Sequence, residues 1–407
     1  MKNNKGFSLM ELLAIIIILG AVAMMVTPIV TSIINGTTQK AVLSSAQSYV
    51  RAVNDQIVSN QTKYLTAKTM NGATDDSILI KDTDIDTNGL VKPYSINDLT
   101  ARGVTVDGYV PTNGGVIVAN GTVFDCALVI NGYLVEYDES TGNFKATKGG
   151  TYSESSITLP AVLTLKKADA TRYVQDSTSS IDGNYALGDV NYRYLTAANT
   201  RYFLINGIKF RTIGIMSTLS GDGSKESRIK LISEQAISNT YASFDAVNTY
   251  LNNDYKKTLT DITSYDIKTQ YYSGTSSYTQ TQAWDIPTRT YKDYNVLFKD
   301  VYKAERYNKT LLQDSFYYSA EVDPYSADVG LMYESDCFAA SWLRGYGLTV
   351  TKKYNTNNYY NCGSSGINDV SFTSAITIHP VIYLPKNAVI SGGSGTSASP
   401  YTLKYIK

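Results

Sequence analysis

The sequence predicts an α+β fold in which a long N-terminal helix packs on an antiparallel sheet, followed by a second, loop-rich and mainly β domain. Residues 7–30 are almost continuously apolar, and apolar residues recur at helical spacing to about residue 60. Asn-Gly steps then separate short strands that alternate apolar and polar residues. After residue 190, a hairpin pattern is followed by long stretches with little regular pattern.

Residues 7–60 are predicted to form one helix. If helical, residues 7–30 would cross a hydrocarbon layer of about 30 Å. Further along, apolar positions recur every three or four residues and share one face: Val42, Leu43, Ala46, Tyr49, Val50, Val53 and Ile57. We therefore expect a transmembrane first half and a second half that packs on a domain.

The start of this helix carries an acid, Glu11, which is costly in a membrane. A carboxylate there raises the free energy of membrane insertion by about 2–3 kcal/mol, so we expect a partner that compensates its charge. The stretch Gly6-Phe7-Ser8-Leu9-Met10-Glu11, which follows the leader 1–6, resembles the type IV prepilin signal. The resemblance implies that a prepilin peptidase cuts after Gly6 and that the new N-terminal Phe7 is methylated. It also implies that Glu11 pairs with the N-terminal amine of a neighbouring subunit. The alternative is a plain membrane anchor without processing.

Residues 61–150 are predicted to form a headgroup. Residues 61–94 are polar and aperiodic, which indicates a surface loop, and Ser95 with Asp98 has the spacing of a capping box. Gly-containing turns then separate strands at 116–119, 123–130 and 133–137, as in an antiparallel meander. A sheet on the second half of a long helix is also what the type IV pilin resemblance implies, so this resemblance covers residues 1–150.

A stretch within the predicted loop is similar to the first half of a calcium-binding loop. It contains Asp84, Asp86 and Asn88, but its twelfth position is Ser95 instead of a bidentate glutamate, and Pro93 interrupts it. A solvated acidic turn is the preferred interpretation. We expect no metal and no cofactor.

Residues 151–190 are weakly patterned and are predicted to be a linker to a distal domain, 191–407. In this domain, residues 202–205 and 208–213 flank Asn206-Gly207 as a hairpin, and residues 228–233 alternate as a third strand.

The hairpin, Trp342-Leu343-Arg344, a Pro380-Val381-Ile382 strand and a Gly-rich terminus follow one another in this domain. That order resembles a module of Gram-positive surface proteins and, more distantly, the C-type-lectin-like fold. The resemblance implies a small sheet that supports irregular, ligand-binding loops.

Candidate ligand contacts lie in the tyrosine-rich part of this domain. Trp342 and Arg344 suit a ligand groove through stacking and forked hydrogen bonds, although we prefer a structural interpretation with Trp342 in the core and Arg344 on loop carbonyls. The other candidates are side chains that we expect to be exposed: Tyr346, Tyr354, Asn355, Tyr359 and Tyr360. Cys337 and Cys362 are expected to form a disulfide outside the cell, and Cys126 to be a buried free thiol.

Composition argues against two classes of function. The 36 basic residues balance the 36 acidic ones and form no runs, so a nucleic-acid partner is not expected. The single histidine, His379, lies beside an apolar strand, which favours a structural role over a general base. Nucleophile-elbow, Cys-x-x-Cys and phosphate-loop motifs are absent from the sequence, so we expect no enzyme. The 34 tyrosines are typical of binding surfaces.

The sequence therefore predicts a type IV pilus subunit, minor or at the tip, with an appended extracellular adhesion domain. The expected partners are other pilin subunits, the prepilin peptidase and assembly machinery, the cytoplasmic membrane before assembly, and a host-surface or glycan ligand. We expect single-pass insertion in the cytoplasmic membrane, then an extracellular pilus on a Gram-positive cell. The alternatives are a pseudopilin of a secretion or DNA-uptake system and a retroelement-diversified receptor, whose variation would be confined to residues near 346–375.

Overall fold

The computed structural model combines helices with several antiparallel sheets, as an α+β fold class predicts. It describes residues 9–71, 76–86, 88–138, 143–176, 191–221, 225–265, 267–276, 282–285, 290–293, 322–333, 336–337, 340–353 and 357–405. Gly6, Phe7, Tyr354 and Asn355 lie outside these residues.

The chain divides into two compact units, each built from three segments. Unit 1 comprises Met1–Ile80, Pro93–Ile117 and Asp125–Ile157, and unit 2 comprises Lys81–Lys92, Val118–Phe124 and Thr158–Lys407. The predicted headgroup, 61–150, is therefore shared between the two units, since its loop 81–92 and the turn around residue 120 group with the distal domain.

Five α-helices are present in the described residues: α1 (Leu9–Asn71), α2 (Ile96–Ala101), α3 (Ala161–Ala168), α4 (Phe244–Asn253) and α5 (Thr260–Thr263). Short 3₁₀ helices occur at Asp76–Ile78, Glu154–Ser156, Tyr255–Thr258 and Ser341–Leu343. No helix of the described residues combines the length and the apolar character that a membrane crossing requires.

Helix α1 ends at Asn71, so the predicted end near residue 60 was wrong, and residues 61–71 are helical where a loop was expected. The buried face continues through Ile57, Asn60 and Tyr64, at the same spacing of three and four. Asn60 interrupts the apolar pattern, but its side-chain amide donates a hydrogen bond to the Arg102 carbonyl at 3.0 Å. The polar residue is therefore buried at no loss of hydrogen bonding.

A five-stranded sheet in the order β1-β2-β3-β4-β5 has most of its residues in unit 1. Its strands are β1 (Tyr94–Ser95), β2 (Asn113–Ala119), β3 (Thr122–Ile130), β4 (Tyr133–Asp138) and β5 (Asn143–Lys148). The predicted meander is confirmed, because Asn120 and Asn131 adopt the positive φ angles, 53° and 48°, that tight hairpin turns require. The predicted capping box is also present: Ser95 Oγ accepts from the Asp98 N–H, and Asp98 accepts from the Ser95 N–H.

Unit 2 contains the remaining strands: β6 (Val174–Asp176), β7 (Asn191–Arg193), β8 (Tyr202–Ile205), β9 (Ile208–Leu219), β10 (Lys225–Ser233), β11 (Ile237–Thr240), β12 (Thr269–Ser276), β13 (Gln282–Asp285), β14 (Thr290–Asp293), β15 (Val322–Ala327), β16 (Gly347–Lys353), β17 (Tyr359–Gly363), β18 (Gly366–Val370), β19 (Ala375–Ile378), β20 (Val381–Tyr383), β21 (Ala388–Gly392) and β22 (Thr402–Tyr405).

Two larger sheets organise these strands. One has the order β20-β10-β9-β7-β6, with β8 also paired to β9, and the other has the order β15-β12-β16-β17-β18. The pairs β11-β19, β13-β14 and β21-β22 form two-stranded sheets. The β8-β9 hairpin has the predicted register, in which Ile205 lies opposite Ile208 and Tyr202 lies opposite Arg211.

The predicted linker, 151–190, contains ordered elements, which corrects that prediction. Helix α3 begins directly after Pro160, and its Ala161 and Leu165 belong to the main apolar cluster of unit 2. Strand β6 follows on the same sheet as β7. Eight residues give too few turns for a helical period to be recognised in the sequence.

A second apolar cluster in unit 2 surrounds the only disulfide of the described residues. It joins Ile213 and Met216 of β9, Tyr383 of β20 and the two bonded cysteines, Cys337 and Cys362. Trp342 and Tyr346 are partly buried and pack against this cluster. The cluster therefore positions two of the predicted contact residues.

Candidate ligand-binding site

The segment that carries Trp342 and Tyr346 is attached to the domain by a crosslink immediately before it. Cys337 forms a disulfide with Cys362 of β17, with the Cα atoms 6.0 Å apart, which confirms the predicted pairing. Cys126 is free and buried, as predicted, and burial raises the pKa of its thiol. A buried thiol with a raised pKa is a poor nucleophile, so Cys126 is inert.

Asp336, the residue before Cys337, fixes the same segment by ion pairs. Its carboxylate accepts from Arg193 Nη1 at 2.9 Å and from Lys230 Nζ at 2.6 Å. All three side chains are at most 1% exposed. The Lys230 ammonium also lies 4.2 Å from the centroid of the Tyr333 ring. Two strands, β7 and β10, thus supply cations that bind one acid from the loop.

Three side chains form an aromatic–arginine cluster next to this anchor: Arg211, Trp342 and Tyr346. The Arg211 guanidinium carbon lies 4.2 Å from the Trp342 ring centroid, and Arg211 Nη1 donates to the Tyr346 hydroxyl at 3.1 Å. The Trp342 and Tyr346 rings meet edge to face, with centroids 5.6 Å apart. Trp342 Nε1 donates to the carbonyl of Tyr194 at 2.8 Å. A cation over an aromatic face is attractive, so these contacts hold the rings in place.

Polar and aromatic groups border the aromatic–arginine cluster. The Arg211 guanidinium carbon is 5.3 Å from the Tyr202 ring centroid, and its Nε is 3.8 Å from a Glu234 carboxylate oxygen. Arg211 Nη2 donates to the carbonyl of Ala197 at 3.4 Å. Glu234, Tyr202, Trp342 and Tyr346 are each partly exposed. The site therefore offers aromatic faces beside a guanidinium and a carboxylate.

His379 lies beneath Tyr346. The ring centroids are 4.4 Å apart, and His379 Nδ1 is 2.7 Å from the Ser233 carbonyl, so Nδ1 carries the proton that this carbonyl accepts. Burial lowers the pKa of His379 below its usual 6.5, opposed by the Ser233 hydrogen bond and the Glu234 charge. Burial raises the pKa of the Tyr346 phenol, opposed by Arg211. Both side chains are therefore neutral near pH 7.

The other predicted contacts do not join the aromatic–arginine cluster. Arg344 is exposed. Tyr360 is buried, which corrects the prediction that it is exposed. Tyr359 is partly exposed and stacks on Phe244 with centroids 4.8 Å apart. Tyr354 and Asn355 lie outside the described residues.

Both aspartates of the stretch similar to a calcium loop are engaged by other groups of the chain. Asp86 accepts from the N–H groups of Asn88 and Leu90, both at 2.9 Å, and the Leu90 hydrogen bond contributes most to lowering its pKa. Asp84 accepts from Lys166 Nζ at 3.3 Å. In the described part of the chain, no group of three or more His, Cys, Asp or Glu residues is arranged to hold a metal.

Arg211, Tyr202 and Glu234 were missed as site residues in the sequence. A signal for the first two existed, because a two-residue turn at Asn206-Gly207 places Tyr202 opposite Arg211. Their approach to Trp342 depends on packing between segments far apart in the chain, for which the sequence contains no local signal.

Comparison with models of protein families, with curated proteins and with solved structures finds no match to this chain.

Proposed function

We propose that this chain is a type IV pilin-like subunit whose unit 2 is an adhesion module. The observation that carries the proposal is the stretch Gly6-Phe7-Ser8-Leu9-Met10-Glu11 at the start of a continuous helix of 63 residues, α1. In the proposal, Gly6 is the residue after which the leader is cut, Phe7 is the methylated N-terminus, and Glu11 pairs with the N-terminal amine of a neighbouring subunit.

The second half of α1 is proposed to be the support on which the unit 1 sheet packs. Val42, Ala46, Tyr49 and Val53 are each at most 1% exposed and recur at helical spacing. Two hydrogen bonds join this helix to β5: Gln39 Nε2 donates to the Ala146 carbonyl at 3.0 Å, and Lys148 Nζ donates to Asn35 Oδ1 at 3.0 Å. These contacts favour a pilin-like arrangement of helix and sheet.

The first half of α1 is proposed to lie in the cytoplasmic membrane before assembly and in the fibre core after it. This step rests on the apolar composition of residues 7–30 and on the single acid within it. The partners would be other pilin subunits and the assembly machinery, and the assembled subunit would be extracellular on a Gram-positive cell.

The aromatic–arginine cluster of unit 2 is proposed to contact a glycan on a host surface. Aromatic faces bind the apolar faces of sugars, while the neighbouring guanidinium and carboxylate suit hydroxyl groups. The Arg211 charge is already countered by Glu234 at 3.8 Å, which favours a neutral sugar over an acidic one. Binding, and no catalytic step, is the activity proposed for this unit.

Mass spectrometry of protein purified from cells that make the fibre tests the pilin proposal. We expect a chain that starts at Phe7 and carries one N-methyl group. A Gly6→Leu variant should keep the leader, whereas a matched Lys5→Arg variant should be processed normally. A native chain that retains Met1 or Lys2 at its N-terminus would refute the proposal.

Adhesion is tested with two variants of the full chain. Trp342→Leu removes the aromatic face of the cluster and should abolish binding to host cells or to neutral glycans. Tyr359→Leu changes an aromatic residue that lies outside the cluster and should leave binding intact. Circular dichroism would verify that both variants fold, and equal binding by the two would exclude the aromatic–arginine cluster as the contact site.

A further inference from the structure

The loop between β7 and β8, residues 194–201, supplies two carbonyls to the aromatic–arginine cluster. Trp342 Nε1 donates to the Tyr194 carbonyl at 2.8 Å, and Arg211 Nη2 donates to the Ala197 carbonyl at 3.4 Å. An indole has one N–H, so the acceptor that it finds sets the direction of the ring. The orientation of Trp342 and Arg211 therefore depends on where this loop lies.

One buried carboxylate binds this loop at both of its ends. Asp169, the residue that follows α3, is 0% exposed. The first residue of the loop, Tyr194, donates its hydroxyl to Asp169 Oδ2 at 2.7 Å. The last residue, Arg201, donates from Nε to both carboxylate oxygens, at 2.8 Å and 3.0 Å. Hydrogen bonds to an ionised group are stronger than neutral ones, so a single anion holds both ends.

The protonation states of the two ends suit these contacts. Burial, together with the Asp169 charge, raises the pKa of the Tyr194 phenol well above its usual value, so the hydroxyl keeps its proton and donates it. The hydrogen bond to Asp169 raises the pKa of the Arg201 guanidinium, which stays cationic. Neither end of the loop is therefore released by its own titration near neutral pH.

Backbone hydrogen bonds to β9 also hold the loop, but they do not fix the direction of its carbonyls. The Tyr194 N–H donates to the Ile213 carbonyl at 3.0 Å, and the Thr212 N–H donates to the Arg201 carbonyl at 2.8 Å. The carbonyl that enters the cluster belongs to the planar peptide after Tyr194, which turns about the ψ bond of that residue. Anchoring the Tyr194 side chain on the buried carboxylate limits this rotation.

We propose that Asp169 is a positioning residue for ligand binding, because it holds the loop whose carbonyls orient Trp342 and Arg211. The part that concerns the ligand rests on the proposed sugar-binding function of the cluster. Since Asp169 is buried, it acts on a sugar through the loop and not by contact. Orienting Trp342 and Arg211 beforehand reduces the entropy that is lost when the sugar binds.

The test compares variants around this one carboxylate. Arg201→Gln removes the cation at the end of the loop. Arg172→Gln is the matched control, since Arg172 Nε lies 3.7 Å from an Asp169 oxygen but belongs to the segment after α3 and not to the loop. Tyr194→Phe is a milder change that releases the other end and keeps the carbonyl that holds Trp342. It decides the question should Arg201→Gln fail to fold.

The first measurement is the fluorine NMR resonance of Trp342 in the full chain, labelled with fluorotryptophan, in detergent and in a Trp284→Phe parent. We expect the resonance to shift or broaden in Arg201→Gln and Tyr194→Phe and to stay in place in Arg172→Gln. A purely stabilising role of Asp169 would lower the denaturant midpoint and leave the resonance of the folded chain unmoved. An unmoved resonance in folded Tyr194→Phe would overturn the proposal, as would an equal shift in Arg172→Gln.

The second measurement is binding of the same variants to immobilised lactose, cellobiose and chitotriose. Arg201→Gln and Tyr194→Phe should bind about tenfold more weakly than the parent, and Arg172→Gln should bind equally well. Unchanged binding by Tyr194→Phe would overturn the role of Asp169 in binding. If the parent binds none of these sugars, the proposed sugar-binding function fails, and the fluorine resonance alone decides whether Asp169 positions Trp342.

Discussion

Removing the disulfide should destabilise unit 2 by a calculable amount. Cys337 and Cys362 are separated by 25 residues, and the loop-closure entropy of such a crosslink corresponds to about 3.5 kcal/mol at 25 °C. Because both sulfurs are buried in an apolar cluster, alanine is the suitable replacement, since it introduces no polar group there. The Cys337→Ala, Cys362→Ala variant should therefore lose at least about 3.5 kcal/mol of unfolding free energy.

The assay is guanidinium unfolding of the full chain in detergent, followed by tryptophan fluorescence. The chain has two tryptophans, so a Trp284→Phe background leaves Trp342, within the aromatic–arginine cluster, as the reporter of unit 2. Cys126→Ala is the matched control because it removes a buried thiol that closes no loop. A loss below about 1 kcal/mol, or free thiols at both positions in protein from cells, would refute the reasoning.

Three other predictions follow from charged groups. Asp336→Asn should lower the free energy of unfolding by about 3–5 kcal/mol, because two buried cations lose their anion. The control Asp254→Asn, in an exposed ion pair, should lower it by less than about 1 kcal/mol. Equal shifts of the two denaturant midpoints would contradict this prediction. His379 has a lowered pKa, so the unfolded chain binds its proton more tightly and stability should fall as pH drops below about 6.5. The single imidazole resonance in NMR should titrate below that value, and a His379→Phe variant should lack this part of the pH dependence. Glu11→Gln should reach the membrane but enter fibres poorly, because an amide lacks the charge that attracts a neighbouring amine; normal amounts in sheared fibres would argue against the pairing.

The sequence predicted elements whose signals are local. The register of the β8-β9 hairpin follows from Asn206-Gly207, and the capping box at Ser95 follows from its spacing to Asp98. The disulfide was predictable because two cysteines lie in one region and the third lies far away in a strand. In each case, the residue types and their spacing in the sequence indicate the pairing.

Other features depend on packing that the sequence does not display. Tyr360 was expected to be exposed because it lies among polar residues, yet it alternates with Tyr359 along β17 and, like Cys362, is buried. Arg211 of β9 and Trp342 lie far apart in the chain, and only tertiary packing brings them into contact. The buried face of helix α1 includes Asn60, whose side chain donates to the Arg102 carbonyl, and a search for apolar periodicity does not count an asparagine as part of a buried face.

The adjacency of Asp336 and Cys337 has a consequence for the order of oxidative folding. Strands β7 and β10 bring Arg193 and Lys230 close together, and their mutual repulsion persists until an anion arrives. If Asp336 binds these cations before oxidation, its neighbour Cys337 would be held close to Cys362, and the ion pairs would favour the native crosslink. The Asp336→Asn variant should then form the native disulfide more slowly, which timed alkylation of refolding chains would measure. Unchanged kinetics would refute this order of events. A native crosslink would then indicate that β7 and β10 had each already paired with β9, the strand between them.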